Sequence, residues 1–379
     1  MNAASKARRP LRVLIAPDSF KGSFSSVDVA AALARGWVRA RPDDGMAIAP
    51  LADGGEGTLG AIAAAGGWSW RDAIVGDPLG RPVRARWLRR DDGKAAVVEL
   101  AEASGLSRVR PSERDPLSAT TLGTGEVIRA VLDDGIRHIT LGIGGSATTD
   151  GGAGILRALG ADFTRWPEID LSALDPRLAE VELRIACDVT NPLLGDRGAA
   201  ATYGPQKGAT PDQVRKLDAY LGVYADALEA ATGRHERDVA GAGAAGGTAF
   251  GLLTIGGHLR SIELRPGVDL VLEETGAAER LASADLVVTG EGRIDEQTAY
   301  GKTALGVARR ANDAGVACIA VGGGVTVEGI AALADVGAVA VPVIETPATL
   351  EEAIAAGTRA IERCGERLAR LVTIGADHG

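Results

Sequence analysis

Glu291, Arg293 and Asp295 stand at two-residue spacing in residues 289–295 (TGEGRID), a glycine-bearing stretch that follows the apolar run of Leu286, Val287 and Val288. Carboxylates can hold a divalent cation, a guanidinium can clamp phosphate oxygens, and glycine lets backbone amides approach an anion closely. The mixture points to a metal–phosphate site at a strand's end; a bare turn would not require it. Residues 53–58 (DGGEGT) and 146–154 (SATTDGGAG) repeat the recipe, with glycines, carboxylates and hydroxyls between an apolar strand and a helix.

The wider constellation is Lys21, Asp53, Glu56, Ser146, Thr148, Asp150, Asp188, Glu291, Arg293 and Asp295, all on or beside loops that leave strand ends. In open α/β sheets ligands bind outside the carboxyl ends of the strands, so these groups could converge. A kinase needs these types: amides and Lys or Arg on phosphates, carboxylates on Mg2+, and one carboxylate to take the proton of the attacking hydroxyl. Taken singly, each Asp or Glu has an ordinary alternative as a helix cap or turn residue. Only six of the 41 basic residues are lysines, and Lys21, Lys207 and Lys302 lie next to a glycine in loop-like segments. A compact ammonium there suits a single phosphate oxygen.

Other chemistries fare worse. Residues 301–303 (GKT) end like a Walker A loop, but Glu296 stands where that motif needs its first glycine. Residues 142–147 (GIGGSA) fit a dinucleotide fingerprint and raise a nicotinamide-dependent hydroxy-acid dehydrogenase as the alternative. The acidic strand end required about 20 residues on is replaced by Trp166-Pro167. A non-catalytic ligand-binding module is a third possibility, supported only by the scarcity of His and reactive Cys. His138, His235, His258 and His378 show no metal spacing, Ser104 lacks a nucleophile-elbow pattern, and Cys187, Cys318 and Cys364 are widely spaced.

At 379 residues the chain is longer than one core usually supports, so two domains are expected. A net charge of -9 and 3% aromatics argue against a nucleic-acid partner. Glycine, at 52 residues, is roughly twice its usual share of about 7% and clusters in turns. Residues 1–10 form a polar, basic tail without an apolar leader, from which a cytoplasmic protein is expected. Residues 239–259 are uncharged but carry seven glycines, and so read as a buried turn region with no membrane span.

The elements that must position these groups follow from periodicity. A strand at 11–16 leads through a loop at 17–23 into a helix with Ser25 as N-cap, Asp28 completing a capping-box variant, and Val27, Ala30, Leu33 and Trp37 facing inward. A strand at 46–51, the DGGEGT loop and a helix at 59–65 repeat the unit. Turn signals at 76–78 and 91–93 divide short alternating strands between 71 and 100. Thr124 is placed as N-cap of a helix at 125–134, followed by strands at 137–143 and 183–189 and a helix around 212–231. Three βα units close the chain, with strands at 285–289, 316–322 and 338–344. Doubly wound ends around a mixed middle suggest one domain inserted into another.

Residues 17–23 (PDSFKGS), 52–58 (ADGGEGT), 123–126 (GTGE), 142–154 (GIGGSATTDGGAG), 187–195 (CDVTNPLLG), 203–209 (YGPQKGA), 241–247 (GAGAAGG) and TGEGRID with Gln297-Thr298 resemble the bacterial glycerate kinase family, type I. The resemblance runs in consistent order from about residue 12 to beyond 350. It implies ATP-dependent phosphorylation of D-glycerate with Mg2+, usually to 2-phosphoglycerate. It also implies a flavodoxin-like doubly wound parallel-sheet domain from both chain ends and an inserted mixed α/β, restriction-enzyme-like domain. With the boundaries read above, these cover 1–70 with 285–379, and 71–284. The chain departs from the pattern at 320–325 (AVGGGV) and at Thr303, where the family often has proline.

On this basis ATP and glycerate are expected to meet in an interdomain cleft. Lys21 and Arg293 act on the transferring phosphate, Glu291 and Asp295 hold Mg2+, and Asp188 serves as general base. Ser19, Asp53, Gly54, Gly55, Gly144, Gly145, Ser146, Thr148 and Lys207 bind substrate or phosphate. D-glycerate and ATP are the expected small-molecule partners, with no nucleic acid or membrane, and a homodimer is a possible assembly.

Overall fold

Apolar runs bounded by glycine, proline and aspartate become strands throughout: β1 (Arg12–Pro17), β2 (Gly45–Ile48), β3 (Trp68–Gly76), β4 (Pro82–Arg90), β5 (Ala95–Glu99), β6 (His138–Gly142), β7 (Glu182–Ala186), β8 (Ser261–Arg265), β9 (Leu286–Ile294), β10 (Ala317–Val325) and β11 (Ala338–Pro342). The computed structural model describes residues 9–296, 303–346 and 349–376. Two compact units result: Met1–Ala52 with Gly60–Gly66 and Val271–Gly379, and Asp53–Leu59 with Gly67–Leu270.

The first unit holds a five-stranded sheet in the order β11-β10-β9-β1-β2, and every pairing in it is parallel. Counted along this unit alone, that is the flavodoxin-like order, as expected. Alternation puts Val13, Ile15, Leu286 and Val288 on one face, in a core shared with Val29, Leu33 and Trp37 of helix Ser26–Ala40 and Ile361, Cys364 and Leu368 of helix Arg359–Ala376. Leu14 and Val287, of opposite parity, are buried as well. Helix Ser26–Ala40 departs from expectation in two details. Val27 is 38% exposed and Val29 is buried, because the stripe through Ala30, Leu33 and Trp37 is centred one residue later. Ser25 does cap the helix, accepting from Asp28 N at 3.1 Å, but its hydroxyl also donates to the Asp28 carboxylate at 2.6 Å.

The second unit carries a six-stranded sheet, β3-β4-β5-β6-β7-β8, antiparallel across its first three strands and parallel across the rest. The two expected turns join β3 to β4 and β4 to β5, with Asp77 accepting from Leu79 N and Arg81 N in the first. Helix Leu122–Asp133 begins earlier than expected. Thr121 occupies the N-cap, and Thr124 lies buried in the first turn with its hydroxyl on Ser104 Oγ at 2.8 Å. The glycine-rich stretch contains helix Ala244–Thr254, whose start is bent by positive φ at Ala245 (52°), Gly246 (67°) and Gly247 (86°). Among the described residues no helix is long and apolar enough to cross a membrane.

Candidate functional site

In the second unit the DGGEGT loop lies over the carboxyl ends of β6 and β7. Gly144 N donates to Gly54 O at 3.2 Å, Gly55 N to Asp53 Oδ1 at 3.1 Å, and the Thr58 hydroxyl to Gly55 O at 2.7 Å. Glycine is obligatory where these backbones touch. Gly54 has φ +82°, and a Cβ on it would lie 2.4 Å from Ala186 Cβ; one on Gly144 would lie 2.5 Å from Gly55 Cα. Asp188 follows β7 and is exposed; its Oδ1 accepts from Gly267 N at 2.9 Å. Gly267 in turn abuts Asp53, since a Cβ there would sit 2.2 Å from Asp53 O. Asp53, Gly54, Gly55, Gly144 and Asp188 are therefore brought together.

The loop after β6 continues through Gly145, at φ +73° and exposed, whose carbonyl accepts from Leu106 N at 2.8 Å. Ala147 N donates to Ser104 O at 2.9 Å. Lys207, expected on substrate or phosphate, is 2% exposed and its Nζ donates to Ser146 Oγ at 2.8 Å and Thr148 O at 2.5 Å. Burial pushes its pKa down to about 7, against the upward pull of the Asp150 carboxylate. Thr148 Oγ1 and Thr149 Oγ1 are buried with no hydrogen-bond partner among the described residues. Asp150 takes the ordinary role its residue type allows. Its carboxylate accepts from Thr121 N (2.8 Å), Thr121 Oγ1 (2.9 Å), Gly152 N (3.1 Å) and Gly154 N (3.1 Å), and so anchors the start of helix Ala153–Ala158. Glu56 is exposed.

Glu99, absent from the sequence reading, ends β5 and accepts from Gly57 N and Leu59 N, each at 3.2 Å, thereby fixing the far side of the DGGEGT loop. Burial, reinforced by Glu102 and Glu56 and opposed by these two amides, raises its pKa to about 7. Its only sequence signal is a carboxylate terminating an apolar run.

The first unit carries a separate cluster. Asp18 N donates to Gly290 O at 2.8 Å, extending the β1–β9 ladder into residues 17–23. Asp18 is 5% exposed and its carboxyl accepts from Thr303 Oγ1 at 2.6 Å; Asp18 was not singled out although it sits inside the PDSFKGS motif, and Thr303 was noted only as a departure from the family pattern. Ser19 is half-buried and Lys21 exposed. A Cβ on Gly292 would lie 3.3 Å from Lys21 N, so that glycine admits the turn against β9. The expected loop at 290–294 is strand: β9 runs on to Ile294 because the glycine run of β10 pairs with it, Gly322 opposite Glu291 and Gly324 opposite Arg293. Glu291 is 6% exposed, whereas Arg293 is exposed and its Nε lies 3.1 Å from Asp295 Oδ2. Lys302, Gln297 and Thr298 lie outside the described residues.

The profile of the glycerate kinase family matches residues 13–373. The chain belongs to the glycerate kinase family. This glycerate kinase-family chain is 45% identical over 331 residues to the glycerate kinase of Bacillus subtilis (strain 168), covering 83% of this chain and 86% of that one. It is 41% identical over 381 residues to the glycerate 2-kinase of Escherichia coli (strain K12), covering 96% and 99%. A crystal structure from Salmonella typhimurium LT2, that of a candidate glycerate kinase 2, superposes with a TM-score of 0.84 at 40% identity over 97% of this chain and 100% of that one. The family is one of phosphotransferases, as the motifs implied. The dinucleotide alternative has no structural support: the helix after β6 begins only at Ala153, well past the glycines that should open it.

Proposed function

We propose that this glycerate kinase-family enzyme transfers the γ-phosphoryl group of ATP to a hydroxyl of D-glycerate, with 2-phosphoglycerate as the favoured product. The observation that carries the reading is the Asp188 carboxylate, exposed yet anchored by Gly267 N at 2.9 Å beside the Asp53–Gly55 and Gly144 backbones. A carboxylate so held can take the hydroxyl proton as the substrate oxygen attacks the γ-phosphorus and the bond to the β,γ-bridging oxygen breaks, releasing ADP. The Ser146 and Thr148 hydroxyls and the Gly144–Gly145 backbone would hold the substrate's anionic group. Lys21 and Arg293 are exposed cations suited to nucleotide phosphates.

Mg2+ takes hard oxygen ligands and needs only one or two carboxylates beside phosphate oxygens and water; among the described residues no larger group of carboxylate, His or Cys ligands is assembled. Glu291 and Asp295 would hold it. When bound, such an ion neutralises phosphate charge. The name of the 41%-identical glycerate 2-kinase supports the 2-position as acceptor. ADP release from ATP that depends on added D-glycerate supports the assignment; ATP left unconsumed in its presence overturns it.

A further inference from the structure

The lysine at position 207 is built for something other than direct contact with a ligand. It ends the short turn Pro205–Lys207, is 2% exposed, and spends its Nζ on Ser146 Oγ (2.8 Å) and Thr148 O (2.5 Å). With a substrate carboxylate nearby to restore its charge against burial, Nζ is an ammonium that only donates, so Ser146 Oγ then accepts and its own proton points elsewhere. Among the described residues no other hydrogen bond to the Ser146 hydroxyl is formed, and the neighbouring Thr148 hydroxyl is likewise unpartnered. Lys207 makes no ion pair among the described residues; the nearby Asp150 carboxylate is committed to Thr121, Gly152 and Gly154. A buried cation without a paired carboxylate is costly unless a counter-charge arrives.

We propose that Lys207 is a positioning residue for acceptor binding: it holds the Ser146 hydroxyl as an outward donor to the carboxylate of the acceptor substrate and supplies that carboxylate's buried counter-charge. Ser146 makes the contact; Lys207 orients and polarises it. The proposal rests on the glycerate reading above and adds the group that recognises the acid end of the substrate. Gly145, next to Ser146, is exposed and left-handed.

The test is a double-mutant cycle in the full chain with Ser146→Ala, Lys207→Met and both, D-glycerate being varied at saturating ATP. Each single variant is expected to raise KM for glycerate roughly 10-fold to 100-fold, as for a lost hydrogen bond to a charged group. The change in kcat and in KM for ATP should stay below roughly 3-fold, a split that loss of a merely structural residue would not give. The double variant should resemble the worse single one. Factors that multiply, or a rise confined to KM for ATP, would overturn the proposal. Ser146→Ala keeps the lysine and tests the contact even if Lys207→Met unfolds: an unchanged KM for glycerate in it is fatal. Wild-type protein that turns over no glycerate contradicts the functional reading and the proposal falls with it, whereas wild-type turnover without coupling overturns the proposal alone.

Discussion

The amide of Gly267 donates to the carboxylate of Asp188, N to Oδ1 2.9 Å, and the same glycine is pressed against the carbonyl of Asp53. One backbone position thus orients the acid proposed as base and seats the loop beside it. Asp188→Asn retains an oxygen that can accept from Gly267 but cannot take a proton. It is expected to lower kcat by about 10² to 10⁴-fold in a coupled ADP-release assay. Its melting temperature should match that of the wild type. Near-wild-type turnover would remove Asp188 from the role of base.

Arg293 separates two functions of one ion pair. Its side chain is 71% exposed and 3.1 Å from Asp295, a geometry worth under about 1 kcal/mol to stability. Arg293→Ala should therefore leave the urea midpoint nearly unchanged while raising KM for ATP or lowering kcat about tenfold or more, as expected for a lost phosphate contact. Unchanged kinetics would leave Arg293 as a surface pair only.

The buried pair of Asp18 and Thr303 makes the reverse prediction. Thr303→Val keeps the shape but removes the donor 2.6 Å from a carboxyl that is 5% exposed. A loss of roughly 1.5–3 kcal/mol is expected from denaturant unfolding. A neutral outcome would mean that Asp18 finds an equivalent donor.

Much of this arrangement was legible because strands here are apolar runs cut off by glycine. Residues 11–16, 137–143 and 183–189 announce β1, β6 and β7, and the loops after them carry the polar groups. The extension of β9 to Ile294 was hidden because Gly290 and Gly292 look like loop, and only pairing with the distant β10 makes them strand. Asp150 and Asp188 look alike in sequence; what marks the first is the five donors on its carboxylate, Thr120 Oγ1, Thr121 N and Oγ1, Gly152 N and Gly154 N. Lys207 stood out as a rare lysine beside glycine, but nothing in GPQKGA says that its side chain turns inward. Glu99 had no local marker, since its partners Gly57 and Leu59 lie about forty residues away, at the N-terminal end of helix Thr58–Ala64.

That carboxyl makes stability depend on pH. Its pKa is raised from 4.5 to about 7 on folding, so the folded chain binds the extra proton between these values. Stability from this group is full below pH 4.5 and is lost as pH rises through 7. Glu99→Gln should abolish that falling leg, on the order of 3 kcal/mol at most, in thermal melts taken at pH 4.5 and 7.5. Lys207, with its pKa lowered from 10.5 to about 7, contributes a slope of opposite sign in a different window, stability rising between pH 7 and 10.5. A Glu99→Gln profile parallel to the wild type over the acid window would contradict the burial of this group.

The central claim is that this chain phosphorylates D-glycerate from ATP. Phosphorus and proton nuclear magnetic resonance of the mixture formed from D-glycerate, ATP and Mg2+ tests donor, acceptor and position together. Stoichiometric ADP with phosphorus coupled to the C2 proton is the predicted result; ATP left intact beside unmodified glycerate would contradict it.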